Sequence, residues 1–272
     1  ATGQGSDYGD PQLVTNDVGS VGPVVAQTPM GLMFKSGKGI YLLERSLGVK
    51  YVGDRVEAYN ALTVRGAVVV PDTNQVRFVT DSARALVYDY AFDQWATFTN
   101  YSAVDCDVWD GAWVHVRSDG TVCVENPSSY RDGSQAIEMY GVTGWIQVAD
   151  MQGFQRVQRL AVLGDYYSAH TLEVSAGYDF SPAWRQVQSY PMTTLFGSTT
   201  YGSSSPYGTS VYGGPWAPYE VSLHLAQQKC TAVRFAFRVR QSGTGAGASV
   251  TAMTMRIGAK AGLNKLGTGK RY

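Results

Sequence analysis

From Gly31 to Pro127 the chain alternates short runs of Val, Ile, Leu, Phe, Tyr and Trp with tight polar turns, and no stretch of 11 or more residues carries a helical apolar stripe. That pattern commits the region to antiparallel strands, because β-branched and aromatic side chains pack well on a pleated surface and the intervening Gly, Asp, Asn and Pro supply the turn geometry. The segment "GLMFKSGKGIYLLER" folds back on "SGKG", and "LGVKYVG" supplies a further strand. "GAVVVPDTNQVRFVT" turns at "PDTNQ", "ARALVYDYAFDQWATFT" at "AFDQ", and "AVDCDVWDGAWVHVRSDGTVCVENP" at "WDG" and "SDG".

These segments group into three comparable units. Strands starting near Ile40, Leu86 and Val122 stand 46 and 36 residues apart, each after a polar turn and an earlier strand. A period of roughly 40 residues with three or four antiparallel strands is the signature of propeller blades, and propellers close with about four to eight of them. Three blades leave an open edge and an apolar face, so another chain or an upstream fragment is expected to supply the missing ones. Residues 1–27 read as an extended, turn-rich arm, and residues 28–140 as the incomplete propeller.

The character changes near Tyr140. "GWIQVADMQGFQRVQRLAVLG" and "HTLEVSAGYDF" read as strands of less regular alternation. In the last strands Val221, Leu223 and Leu225 share one face, Val233, Phe235, Phe237 and Val239 another, and Thr251, Met253, Met255 and Ile257 a third. Residues 141–258 are therefore expected to form a β-sandwich, interrupted by a loop of Gly, Ser, Tyr and Pro at 190–219, with a basic tail at 259–272. The expected fold class is all-β: a partial β-propeller of three blade-like units followed by a β-sandwich domain.

Charge sharpens the division. The 22 basic and 22 acidic residues cancel overall, but residues 61–150 carry 5 basic and 12 acidic groups and residues 151–272 carry 12 and 4. Opposite fields at the two ends favour contacts between domains or copies, and a net charge of zero argues against a dedicated nucleic-acid binder. Only 16% of residues are charged, so much of the surface is neutral. Cys106, Cys123 and Cys230 cannot form a fully paired framework and fit no zinc spacing. The spacing of Cys106 and Cys123 allows them to face each other on neighbouring strands, and all three read as small buried hydrophobes. No basic-then-apolar leader and no 18-residue apolar run is present, which gives the expectation of a soluble protein without a membrane-spanning segment, made in a reducing compartment.

Signatures of catalysis are few. The sequence has no phosphate-binding Gly-rich loop, "HExxH", "CxxC" or "GxSxG". Its three histidines, His115, His170 and His224, fall on separate expected strands. Asp105, Asp107 and Asp110, with Asp119 across a hairpin, suggest a Ca²⁺ site or a glycosidase pair only weakly, since Asp residues beside Trp109 suit turns equally well. No enzyme activity, cofactor or metal is expected. The residues with the strongest interaction signal are Tyr201, Tyr207, Tyr212 and Trp216, aromatic anchors on a Gly/Ser frame. Lys260, Lys265, Lys270 and Arg271, in a tail with no acidic residue after Glu220, form an expected basic contact surface or DNA path.

The phrases "GLMFKSGKGIYLLERSLGVKYVGDRVEAYN", "VVVPDTNQVRFVT", "ALVYDYAFDQWATFT", "GFQRVQRLAVLGDY", "YEVSLHLAQQKCTAVRFAFR" and "GAKAGLNKL" resemble structural tail proteins of tailed bacteriophages, in particular the propeller-bearing hub or nozzle proteins of short-tailed phages. The resemblance runs from about residue 11 to the end and matches the C-terminal portion of a longer protein. It implies a hexameric ring of identical chains around the DNA exit channel, beside adaptor or portal-side components, with an upstream fragment completing the propeller and transient, non-specific contact with phage DNA. It further implies assembly in the host cytoplasm into the virion tail, with genome retention and ejection as the task. Two other readings stand beside it: a carbohydrate-binding β protein for host-surface recognition, and a tail-associated glycan depolymerase.

Overall fold

The computed structural model describes residues 13–148, 154–192, 217–242 and 245–260. The chain divides into two compact units, Ala1–Pro127 and Ser128–Tyr272. Both are built from antiparallel strands.

Among the described residues the first unit contains three sheets, each a strict up-and-down meander. Strands β1 (Val25–Thr28), β2 (Gly31–Ser36), β3 (Gly39–Glu44) and β4 (Val49–Tyr51) form the first. The second comprises β5 (Val64–Val70), β6 (Gln75–Thr80), β7 (Arg84–Asp89) and β8 (Gln94–Thr99). The third is β9 (Ala103–Trp109), β10 (Ala112–Arg117) and β11 (Val122–Val124). Local chemistry sets the turns. Asn74, Asp93 and Asp110 adopt left-handed backbone, a conformation Asn and Asp tolerate better than most residues. The Asp89 carboxylate accepts hydrogen bonds from the amides of Ala91 and Phe92, and Asp119 accepts one from Thr121. Gly31 has φ +152°, and a Cβ there would lie 2.1 Å from the Leu43 carbonyl oxygen, so no other residue fits the close β2–β3 pairing.

Two hydrophobic clusters join the sheets in series. Ala26, Met33, Ile40 and Leu42 of the first sheet share a cluster with Val76, Phe78, Leu86 and Tyr88 of the second. On the opposite face of the second sheet, Val70, Val79 and Ala85 share another with Ala103 and Trp113. The middle sheet is thus covered on both sides, which is why β6 is buried continuously from Val76 to Thr80 rather than in alternation. The Trp95 indole donates to the Val52 carbonyl oxygen at 2.8 Å, tying the last strand of the second sheet to the segment after β4. The opening strands also adjoin: β5 runs beside β1 and β9. Gly66, at a register shift in β5, permits that approach, because a Cβ there would lie 3.2 Å from the Cys106 amide nitrogen.

The second unit begins with a short ribbon of β12 (Arg131–Asp132) and β13 (Gln135–Ala136), followed by β14 (Glu138–Val142), β15 (Phe154–Tyr166), β16 (His170–Tyr178), β17 (Gln186–Met192), β18 (Ala217–His224), β19 (Lys229–Cys230), β20 (Val233–Gln241) and β21 (Ala248–Lys260). One sheet has the order β14-β20-β16-β17. In the other, β15 pairs with β21 along one edge and with β18 and β19 along the other. Both sheets feed one cluster, in which Leu160, Val162, Val221 and Leu223 meet Leu172, Val174, Val233 and Phe235. Each such side chain contributes about 1.5–3 kcal/mol on burial. The stretch "GWIQVAD" departs from expectation. Residues 144–148 contribute only an isolated bridge between Ile146 and Val233, and the Gln155 side chain holds them by accepting from Val148 and donating to the Ile146 carbonyl. Among the described residues, no helix is long and apolar enough to cross a membrane.

Candidate interaction surfaces

Among the described residues, no group of three His, Cys, Asp or Glu side chains is arranged to hold a metal ion. Asp105 and Asp107 do share the outward face of β9, opposite Val116 and Val114. Each accepts a hydrogen bond from the next backbone amide, Cys106 and Val108 respectively. Asp110 instead occupies the left-handed turn after Trp109. Cys106 and Cys123 are not neighbours: β10 separates them, and each pairs with His115 from its own side. Their thiols are free, and burial raises that of Cys106 to about 11, with Asp105 and Asp107 adding to the rise.

The more informative surfaces are the two end faces of the first unit. In the first sheet, residues out of phase with Met33, Ile40 and Leu42 are also apolar. Phe34 and Tyr41 stack with centroids 6.2 Å apart, Tyr41 meets Tyr51 at 5.1 Å, and Leu43 pairs with Val49. Leu32 and Val25 on this face are 39% and 44% exposed. At the other end, Val114 pairs with Val124 and Val116 with Val122, turned away from Trp113 and His115. Val122 and Val124 are 60% and 59% exposed. One end face is therefore rich in aromatic groups, and on the other the valines share the surface with Asp105, Asp107 and the exposed Trp109.

The first sheet offers aliphatic Met33, Ile40 and Leu42 to a second-sheet face bearing Phe78, Tyr88 and Trp95. The second sheet offers Val70, Val79 and Ala85, with Phe98 at its edge, to Trp113. Arg77 reinforces the second contact. It is 2% exposed, its Nη1 lies 2.7 Å from the Glu125 carboxylate, and its Nε and Nη2 donate to the Gln75 side chain. The guanidinium lies 4.5 Å from the Trp113 ring centroid and 5.4 Å from that of Phe98. A planar cation with both edges hydrogen-bonded and its faces on rings is well suited to burial between sheets.

The second unit carries a charged lattice across three strands. Arg240 of β20 is 2.8 Å from Glu138 of β14, and Arg238 is 3.1 Å from the same carboxylate. Both arginines also approach Glu173 of β16, and Arg238 lies over the Tyr140 ring. Arg234 sits against Trp145 and Trp184 and donates to the Ser181 and Pro182 carbonyls. Deeper in the unit, fully buried His170 contacts Tyr166 and Tyr219, with Nδ1 2.7 Å from the Ser168 carbonyl oxygen. Its Nε2 and the Tyr219 hydroxyl have no hydrogen-bond partner among the described residues. Burial holds the imidazole below the usual histidine range, against an opposing pull from the Ser168 carbonyl.

Tyr201, Tyr207, Tyr212, Trp216, Lys265, Lys270 and Arg271 lie outside the described residues. Lys260 ends β21, and only its backbone is described. Tyr190 and Tyr219, at the ends of the expected loop, belong to β17 and β18; the Tyr190 hydroxyl donates to the Ser222 carbonyl, and Tyr219 is buried. His115 belongs to the first unit, whereas His170 and His224 occupy β16 and β18 of the second. Sequence reasoning expected an open apolar face without naming its residues, and it missed Arg77. The signal for the first end face was present in "GIYLLE", where both phases of the strand are apolar. No family model matches this chain, and no curated protein matches its sequence.

Proposed function

We propose that this chain is a structural subunit of a bacteriophage tail, a hub or nozzle component that forms part of the DNA channel and performs no turnover. The observation that supports this most is the pair of apolar end faces on the first unit. We read the three meander sheets, stacked through shared cores and each opening with a strand beside its neighbour's, as consecutive propeller blades. A run of blades ending in exposed Val122 and Val124 on one side and Leu32 on the other is suited to permanent assembly, since apolar sheet faces left in water favour association. The two sheets of the second unit, packed on one core, we read as a β-sandwich that presents a neutralised Arg–Glu lattice. The resemblance in the strand phrases supplies the phage tail as the setting.

The test is proteomic and structural. Tailed particles from a culture expressing this gene are purified and their proteins identified by mass spectrometry, with antibody labelling in the electron microscope. The expected result is multiple copies per particle located on the tail. Absence from particles, combined with specific binding on a glycan array, points instead to a free carbohydrate-binding protein.

A further inference from the structure

We infer that a pocket beside Lys35 in the first unit binds a carboxylate carried on a small apolar body, with the Lys35 ammonium as its anchor. Three segments surround this pocket of about 250 Å³: residues 20–24 ahead of β1, residues 35–37 where β2 turns toward β3, and residues 60–64 leading into β5. Two contacts fix the first segment. The Val21 amide donates to the Lys35 carbonyl at 2.9 Å, and Asp17 pairs with Lys38 at 2.5 Å. A strand lysine usually extends its ammonium into water. Lys35 is instead half-buried, and its Nζ donates to the Ser36 carbonyl at 2.7 Å and the Asn60 carbonyl at 3.0 Å. Those carbonyls hold the ammonium in place but bring no full negative charge. An ammonium has three donors; among the described residues the third has no acceptor, and the charge has no carboxylate partner. Burial pulls the Lys35 pKa below the ordinary lysine value, and no neighbouring carboxylate opposes that pull.

The surroundings select the ligand. A single available cation suits a single negative charge, because Lys38 is already engaged by Asp17. Val24, Leu62 and Val64, each half-buried, give the pocket an apolar wall. The volume lies below the about 300–1,000 Å³ of pockets that hold drug-sized ligands, so the apolar body is short. A branched aliphatic acid and the last residue of a peptide chain present the same chemistry. Either would take the third ammonium donor in a charge-assisted hydrogen bond, roughly twice as strong as a neutral one, and cover the apolar wall. An inorganic anion does only the first of these and a neutral alcohol only the second. A lysine whose role is solely to tie Ser36 to Asn60 would show no preference for the acid. The inference stands apart from the tail reading and does not depend on it.

The experiment is a nuclear magnetic resonance titration of the full chain, carbon-13 labelled in its Val and Leu methyl groups, with isocaproate at neutral pH. The methyl signals of Val24, Leu62 and Val64 are expected to shift together and saturate with a Kd of about 1 mM. The corresponding alcohol and inorganic phosphate are each expected to bind at least about 10-fold more weakly. Lys35→Met keeps most of the aliphatic stem and is expected to lose isocaproate binding by the same factor while retaining the wild-type far-ultraviolet spectrum. The comparison of acid with alcohol uses the wild type, so it decides the matter even if that variant does not fold. Acetyl-glycyl-leucine separates the two sources: tighter binding than isocaproate assigns a peptide C-terminus, weaker binding a free acid, and in both cases the amidated dipeptide must bind about 10-fold more weakly than its acid. The inference is overturned if no methyl signal of the pocket shifts below about 20 mM isocaproate. It is overturned equally by an alcohol, a phosphate or an amide that binds as well as its acid counterpart, or by a folded Lys35→Met chain that keeps its affinity.

Discussion

Replacing Arg77 tests the account of how adjacent sheets are held together. The side chain is almost fully buried and makes three kinds of contact: an ion pair with Glu125, hydrogen bonds to Gln75, and ring contacts with Trp113 and Phe98. Removing one partner of a buried pair typically costs about 3–5 kcal/mol. Here the lower end applies, because Glu125 is 39% exposed and water can solvate its carboxylate once the guanidinium is gone. Arg77→Ala also leaves a void between two sheets, giving an expected loss of about 3 kcal/mol. Arg77→Met keeps most of the aliphatic stem against the rings and is expected to lose about 1–2 kcal/mol. Glu125→Gln leaves the guanidinium with Gln75 and both aromatic contacts, so about 1 kcal/mol is expected. Urea unfolding followed by tryptophan fluorescence measures all three, and the cycle formed by Arg77→Met and Glu125→Gln isolates the ion pair. The reasoning fails if Glu125→Gln costs as much as Arg77→Ala, which would place the energy in the ion pair rather than in packing. It fails equally if Arg77→Ala costs under about 0.5 kcal/mol.

Three further outcomes are expected. Gly31→Ala drives a methyl group into the Leu43 carbonyl at a backbone angle unfavourable for L residues, so β2 and β3 cannot keep their register; circular dichroism should show loss of stable folding or a midpoint lowered by several degrees. Burial depresses the His170 pKa in the folded state, so the unfolded chain binds more protons as pH falls below the ordinary histidine value. Stability should be unaffected by this group above about pH 7, should fall by up to about 1.4 kcal/mol per pH unit below about 6.5, and should lose that dependence in His170→Phe, as measured by urea midpoints across pH. With its thiol raised to about 11, Cys106 should react with iodoacetamide at pH 8 roughly 100-fold more slowly in the folded protein than in urea, as read by peptide mass spectrometry.

Much of the strand pattern was legible in the sequence because turn chemistry and alternation agreed. "PDTNQ" places Pro71 and a left-handed Asn74 between β5 and β6, and "SDG" places Asp119 and Gly120 between β10 and β11. Long-range facts were harder to read. Arg77 looks like an ordinary outward strand residue until the third sheet is laid over it, because its ion-pair partner is 48 positions away. The spacing of Cys106 and Cys123 allowed a facing pair, but an intervening strand puts His115 between them. The stretch around Trp145 has strand composition without a ladder. The side chain of Gln155 supplies the hydrogen bonds that a neighbouring strand would otherwise make, and such an exchange leaves no periodic trace.

Electron cryo-microscopy of the full chain in its associated form tests the central claim most directly. The account predicts that the outward face of β9–β11 and that of β1–β4 are each covered by a neighbouring protein. An assembly in which copies meet only through the second unit, with both end faces of the first unit in solvent, would contradict it.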